Sequence, residues 1–198
     1  MENESTRILA EIIKKRRTRK PVLFSKNPPS KELINSLIDV ARHAPNHHRT
    51  EPARFYLLNA DKIKQVGHLF GETIAKDKKD PILIEKGKRK TKEWGNAPGL
   101  IIVTCHTDTS SELVRKNPAV IDEDYATSSC ICQNLLLLLE SEGLASKWST
   151  GPVWEHPDFS ETVGIKNPLN ERVVGLIFYG YSTQDVTPRG LQDIQNHL

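Results

Sequence analysis

From about Ile121 to Glu142 the chain is apolar on nearly every side of a helix, with a block of leucines from Leu135 to Leu139. Such a helix is stable only where other elements cover it, so it predicts a long helix at the centre of the fold, ended by Gly143. The block is far shorter than the roughly 18 uninterrupted apolar residues of a membrane span, and no membrane partner is expected. A second buried element follows from Gly99 to Cys105 (GLIIVTC), which is continuous, β-branched and bounded by Pro98, as a fully covered strand is.

The remaining pattern can be arranged around these two. Ser5 and Thr6 can cap a first helix with Ile8, Leu9, Ile12 and Ile13 at helical spacing, stopped by Pro21 after a basic cluster. Pro28-Pro29-Ser30 starts a second, with Leu33, Ile34, Leu37, Ile38, Val40 and Ala41 inward, closed by Pro45. Phe55 to Leu58 reads as a strand, and Asp61 caps a helix with Ile63, Val66, Phe70 and Ile74 inward, weakened by Gly67 and Gly71. Residues 76 to 95 are highly charged and read as a helix or mobile excursion that returns Trp94 to the core. A short strand around Trp148, a helix after His156-Pro157 and a strand from Val173 to Tyr179 complete the order. This succession suits an α+β or three-layer domain with a mixed sheet. At 198 residues and 37% apolar content, the chain is expected to be a single domain spanning 1–198. No GxGxxG follows a strand, which argues against a dedicated dinucleotide-binding domain.

The opening Met1-Glu2-Asn3-Glu4 lacks a secretory pattern, and Cys105, Cys130 and Cys132 include no CxxC pair, so a cytoplasmic location and buried thiols are expected. The formal charge of +3 conceals two basic bunches, Lys14 to Lys20 and Lys76 to Lys92. The second lacks interleaved aromatics, so no nucleic-acid partner is expected, and a polyanion-binding module built on it is the alternative reading. In the first, Arg16, Arg17, Thr18 and Arg19 offer fork-shaped donors and a hydroxyl suited to a phosphate. Cations also simply favour a helix C-terminus, and composition does not choose between the two. The loop from Ala44 to Pro52 is rich in hydrogen-bonding groups between a helix and a strand, where ligands often bind. His43 and His47 are four apart, a spacing that suits a metal on a helix, but Pro45 breaks the helix between them and no metal is expected.

These segments, taken in order, resemble the nitroreductase family. Arg16-Arg17-Thr18 stands for its Arg-Arg-Ser triplet and Ala44 to Ala53 for its Ala-Pro loop, with Ala44-Pro45-Asn46-His47 most similar to the small-subunit nitroreductases. Asn96-Ala97-Pro98, Asp124-Tyr125-Ala126, Gln133-Asn134-Leu135-Leu136-Leu137, Gly143 to Gly151 and Gly180-Tyr181 continue the likeness. The resemblance implies a nitroreductase-like three-layer fold, with a mixed, mostly antiparallel sheet flanked by helices. It also implies FMN bound non-covalently between the subunits of a homodimer, with NAD(P)H as reductant. Arg16 and Thr18 would hold phosphate and ribityl oxygens with Arg17 close by, and His43 and His47 would line the site. Trp148, Ser149 and Thr150 would meet the isoalloxazine ring, and Arg189 would be a second phosphate partner. Nitroaromatic, quinone or similar acceptors would be reduced by a ping-pong scheme that needs no side-chain acid or base, so no catalytic residue is named. Arg17, Arg19 or Arg49 would supply a fixed cation near the flavin. Arg49, Glu51 and Ala53 replace the family's Asn, Gln and Trp, with Arg49 the expected partner of Glu51, and these changes bear on the acceptor. A flavin-binding relative with another redox chemistry, such as flavin fragmentation, dehalogenation or azoline oxidation, is the alternative within the same fold.

Overall fold

Four strands, β1 (Ala53–Leu57), β2 (Gly99–His106), β3 (Leu144–Ser149) and β4 (Glu171–Tyr181), form one sheet in the order β1-β2-β4-β3. The computed structural model describes residues 3–77, 79–184, 187, 190 and 191. All three ladders are antiparallel, and the register of β2 against β4 shifts between Val103 and Thr104. Among the described residues, the parallel component of the sheet is a single bridge, Thr18 to Ser146.

Both faces of the sheet are covered, which is why β2 and β4 read as unbroken apolar runs. On one face, Ile101, Val103 and Cys105 of β2 meet α2 (Lys31–Ala41) and α6 (Val120–Ser141) through Ile34, Leu37, Ile38, Ile131, Leu135 and Leu139. On the other, Leu100 and Ile102 meet α3 (Ala60–Ile74), α4 (Pro81–Gly95) and α7 (Phe159–Val163) through Ile63, Val66, Phe70, Trp94 and Phe159. The result is a three-layer α+β fold in which the long helix α6 touches all four strands and also packs on α2 and α1 (Glu4–Lys15).

The charged stretch 76 to 95 contains the helix α4, started by Asp80, whose carboxylate accepts from the Ile82 and Leu83 N–H groups, and by Pro81 in the first turn. Trp94, 2% exposed, stacks on Phe70 at 3.7 Å between ring centroids. The glycines that weaken the α3 pattern have a packing role. A Cβ at Gly67 would lie 2.5 Å from the Gly95 nitrogen, and one at Gly71 would lie 2.9 Å from the Gly87 carbonyl oxygen, so the two helices touch backbone to backbone.

Several boundaries differ from the sequence reading. Asn3 and Asn59, rather than Ser5 or Thr6 and Asp61, cap α1 and α3, leaving Asp61 in the first turn, where an acid favours the helix dipole. Helix α2 ends at Ala41, so the segment before Pro45 is already non-helical, and Val40 points outward at 54% exposure. A short helix, α5 (Glu112–Lys116), follows β2. Cys105 and Cys132 are buried thiols, whereas Cys130 is exposed. The most consequential difference is at the end of α1. The helix stops at Lys15, and the arginines lie on an extended segment, because the Arg19 N–H donates to the Ser146 carbonyl at 3.0 Å and Thr18 bridges the same residue. Edge pairing to the sheet has outcompeted one more turn of helix.

Candidate active site

The same edge pairing sets Arg16, Arg17 and Thr18 beside β3, the strand that leads to Trp148, Ser149 and Thr150. From Ser146 to Ser149 is three residues of strand, about 10 Å, so the two segments predicted to share a site are neighbours. The three arginines do different things. Arg19 turns inward, its Nη1 donating to the buried Glu140 carboxylate of α6 at 3.4 Å. Arg17 donates from Nη1 to the Arg16 carbonyl at 2.7 Å, while its buried Nε has no partner among the described residues. Arg16 is half-buried and Thr18 exposed. Arg16 and Arg17, together with Glu11, Ile13, Lys14, Lys15 and Leu191, line a groove of about 920 Å³.

At the other end of the segment, Trp148 is half-buried and its indole N–H donates to the Val174 carbonyl at 3.2 Å. Its ring lies across Gly175, where a Cβ would come within 2.1 Å of the indole nitrogen, so only glycine admits it. The ring is thereby fixed by β4 and the adjoining core. Ser149 is buried, and its hydroxyl, like that of Ser146, has no partner among the described residues; Thr150 is exposed. Lys147, between them in sequence, is half-buried, 3.9 Å from the Glu93 carboxylate, with its ammonium 5.7 Å from the Trp94 ring centre. Burial pushes its ammonium below the usual lysine value, Glu93 opposes this, and Lys90 and Lys20 add to it. A cation held on β3 beside Ser149 was not singled out by the sequence, in which a lysine in a strand carries no signal of its own.

The Ala44–Pro52 loop forms a separate concavity of about 300 Å³ with Arg42, Asn46, Glu51, Pro52, Arg54 and Ile131 among its walls. It is pinned to α6: Thr127 donates to the Pro45 carbonyl at 3.0 Å, Asn134 donates to the Ala41 carbonyl at 3.2 Å, and the buried Asp124 carboxylate accepts from Thr50 and Thr107. His48, Arg49 and Glu51 have φ of 60°, 53° and 49°, a left-handed backbone that is strained for side chains of this size. Glu51 pairs with Arg42 at 3.3 Å, rather than with Arg49. The left-handed turn sends Arg49 to solvent while the end of α2 presents Arg42. His43 and His47 are both exposed, and neither lines the groove beside Arg16 and Arg17 within this chain. Arg189 lies outside the described residues. On α4, Lys86, Lys88, Arg89 and Lys92 are exposed, and Lys90 is tied to Glu93 at 2.6 Å.

The nitroreductase family's sequence pattern matches residues 13–181, which takes in α1's last turn, the arginine segment, the loop and all four strands. The chain belongs to the nitroreductase family. As a member it is an oxidoreductase. This nitroreductase-family chain is 29% identical over 175 residues, 88% of its length and 84% of the relative's, to Bacillus subtilis YfhC, which bears the provisional name NAD(P)H nitroreductase. Its fold matches that of a nitroreductase-like family protein from Bacillus cereus with a TM-score of 0.74 at 26% identity, covering 93% of this chain and 91% of that one. A nitroreductase with bound FMN from Bacteroides fragilis superposes with a TM-score of 0.71 at 21% identity, over 100% and 98% of the two chains. An iodotyrosine deiodinase bound to FMN and 3-iodo-L-tyrosine shares the fold at a TM-score of 0.67 and 21% identity, over 96% and 97%. Among the described residues, no helix is long and apolar enough to cross a membrane.

Proposed function

We propose that this nitroreductase-family chain binds FMN non-covalently and uses NAD(P)H to reduce a small oxidised acceptor of the nitroaromatic or quinone type. The reading rests on one observation above the others: beside the groove of Arg16 and Arg17, the buried Arg17 Nε has no partner among the described residues, and neither does the Ser149 hydroxyl on the adjoining strand. Buried donors are rarely left unsatisfied, so this set is built to receive a ligand rich in acceptors. A phosphate with a polyol tail fits it, and the relative with bound FMN points to the same molecule. Bound there, FMN would supply two-electron transfer between NAD(P)H and the acceptor in two separate half-reactions.

The chain's own residues divide the work. Arg16 and Arg17 grip the phosphate, and Thr18 meets the ribityl oxygens. Ser149 and Thr150, with the ring of Trp148 held on Gly175, form the wall for the isoalloxazine. Arg19 is committed to Glu140, Lys147 to Glu93, and Arg49 is turned to solvent, which leaves Arg17 to balance negative charge on a reduced flavin.

Helix α1 has no buried residue, and Ile8, Leu9 and Ile13 are each about half exposed, an apolar face suited to a second copy of the chain. A homodimer would cover it, and would let His43 and His47 of the loop complete a site between subunits that they do not reach within one chain. Arg189 joins that proposal as a second phosphate contact. Residues 1–198 form one functional domain on this reading, since both hydrophobic layers share one sheet. Three free thiols fit a reducing compartment such as the cytoplasm.

The test is an absorbance spectrum of the protein with FMN, titrated anaerobically with NADH and with NADPH. Bleaching of the flavin band supports the proposal, and initial rates against both substrates should give the parallel reciprocal plots of a ping-pong scheme. A colourless protein that takes up no added FMN overturns it. Arg17→Ala, which removes charge-assisted hydrogen bonds, should weaken FMN binding about 10- to 100-fold while leaving the fold intact.

A further inference from the structure

The left-handed turn at His48 has a chemical result beyond shaping the loop. It brings the His48 ring against that of His47, with centroids 4.0 Å apart and planes inclined by 65°. The first turn of α6 sets Glu123 beside them, and one ligand atom from each of the three residues lies within 4.8 Å of the other two. Glu123 brings a second sign of an expected ligand: its Oε2 is buried and accepts no hydrogen bond among the described residues. A carboxylate oxygen withdrawn from water without a donor is costly unless a cation or donor faces it. Arg42 is already engaged by Glu51 and Asp39.

We propose that His47, His48 and Glu123 bind a divalent cation of the Zn²⁺ class, joining the loop to α6. Two imidazoles and a carboxylate are a donor set that Zn²⁺ accepts, with a fourth position left to water. Tetrahedral ligands about 2.0–2.1 Å from the ion stand about 3.4 Å apart, so ligand atoms within 4.8 Å of one another need draw in by no more than about 1.4 Å to close around an ion. The His43 and His47 pair, which Pro45 keeps from alignment on one helix, is not the site; the turn beyond Pro45 recruits the next histidine instead. The inference shares His47 with the flavin reading and is otherwise separate from it, because neither His48 nor Glu123 is assigned to FMN.

The experiment uses the full-length, untagged, FMN-loaded protein, stripped with chelator and titrated with Zn²⁺ by calorimetry, with metal content measured after equilibrium dialysis. Wild type should bind one ion per chain. Glu123→Gln removes the anionic ligand, and His48→Asn removes an imidazole while tolerating the left-handed backbone. Loss of a distant supporting contact already costs about 10- to 100-fold in metal affinity, so each variant should bind at least about tenfold more weakly. Circular dichroism and flavin content should not change. Absence of stoichiometric binding to wild type overturns the proposal, as does full affinity in both variants. So does loss of binding in His68→Ala alone, which would place the ion at Glu72, where His68 and His156 approach to 3.3 and 3.7 Å.

Discussion

Replacing Glu140 by alanine should destabilise the protein more than any change on its surface. The carboxylate sits in the leucine-rich half of α6 with its side chain 3% exposed, and the Arg19 side chain that it holds is 10% exposed. Removing one member of a buried ion pair leaves the other charged and dry, at a cost of about 3–5 kcal/mol. The contact is 3.4 Å, at the long end for a hydrogen bond, which favours the lower figure of about 3 kcal/mol. The Arg19 Nε already lacks a partner among the described residues, so little nearby can take over. In a chain of this size each kcal/mol moves the melting temperature by about 2–4 °C, and the expected drop is about 6–12 °C. Equilibrium urea unfolding followed by tryptophan fluorescence, with and without added FMN, measures the loss directly. Replacing the pair together, as Arg19→Met with Glu140→Leu, should recover most of it, since an apolar pair of similar volume meets no desolvation penalty. If Glu140→Ala unfolds within about 1 kcal/mol of wild type, the buried pair does not hold the arginine segment to the core and the division of roles between Arg17 and Arg19 fails.

Gly67→Ala should destabilise, although alanine is the better helix former by about 1 kcal/mol, because its Cβ meets Gly95 and Thr91 backbone atoms at 2.5–2.9 Å and overpacking costs about 1–3 kcal/mol; a rise in melting temperature would contradict the α3–α4 packing. Tyr56 is pushed up to about 12 by burial and its hydrogen bond to Glu171, and Tyr179 to about 12 by burial. Both phenols bind their protons more tightly folded than unfolded, so the stability this confers is complete below pH of about 10 and lost as pH rises through about 12; phenolate absorbance should show two of the four tyrosines titrating late. Of the three thiols, only the exposed Cys130 should react with a disulfide reagent in the native protein, with Cys105 held up by burial and Cys132 pushed by it to about 12. Both buried thiols should react once the chain is unfolded.

Much of the architecture is legible in the chain because burial leaves a periodic mark. The Leu135–Leu139 block, the unbroken strand at Gly99–Cys105 and the helical spacing from Leu33 to Ala41 each state how many faces must be covered, and the sheet layers follow. The basic cluster and the Ala44–Pro52 loop were visible as chemistry for the same reason: arginines and histidines in short order stand out locally. The helix from Pro81 to Gly95 was less clear, since its charges masked a narrow buried edge of Gly87 and Trp94.

What the sequence by itself determined is therefore the layers, the family likeness and the presence of a basic cluster near the N-terminus. Which arginine does what was decided only by tertiary structure. Pairing with Ser146 on the edge of β3 ended α1 at Lys15, turned Arg19 to Glu140, more than a hundred residues away in sequence, and left the Arg17 Nε buried with no partner among the described residues. The pairing of Glu51 with Arg42, and the meeting of His47, His48 and Glu123, likewise depend on a left-handed turn and on a helix distant in the chain. Periodicity records how much of a side chain is covered; its partner is fixed by where the backbone returns in space.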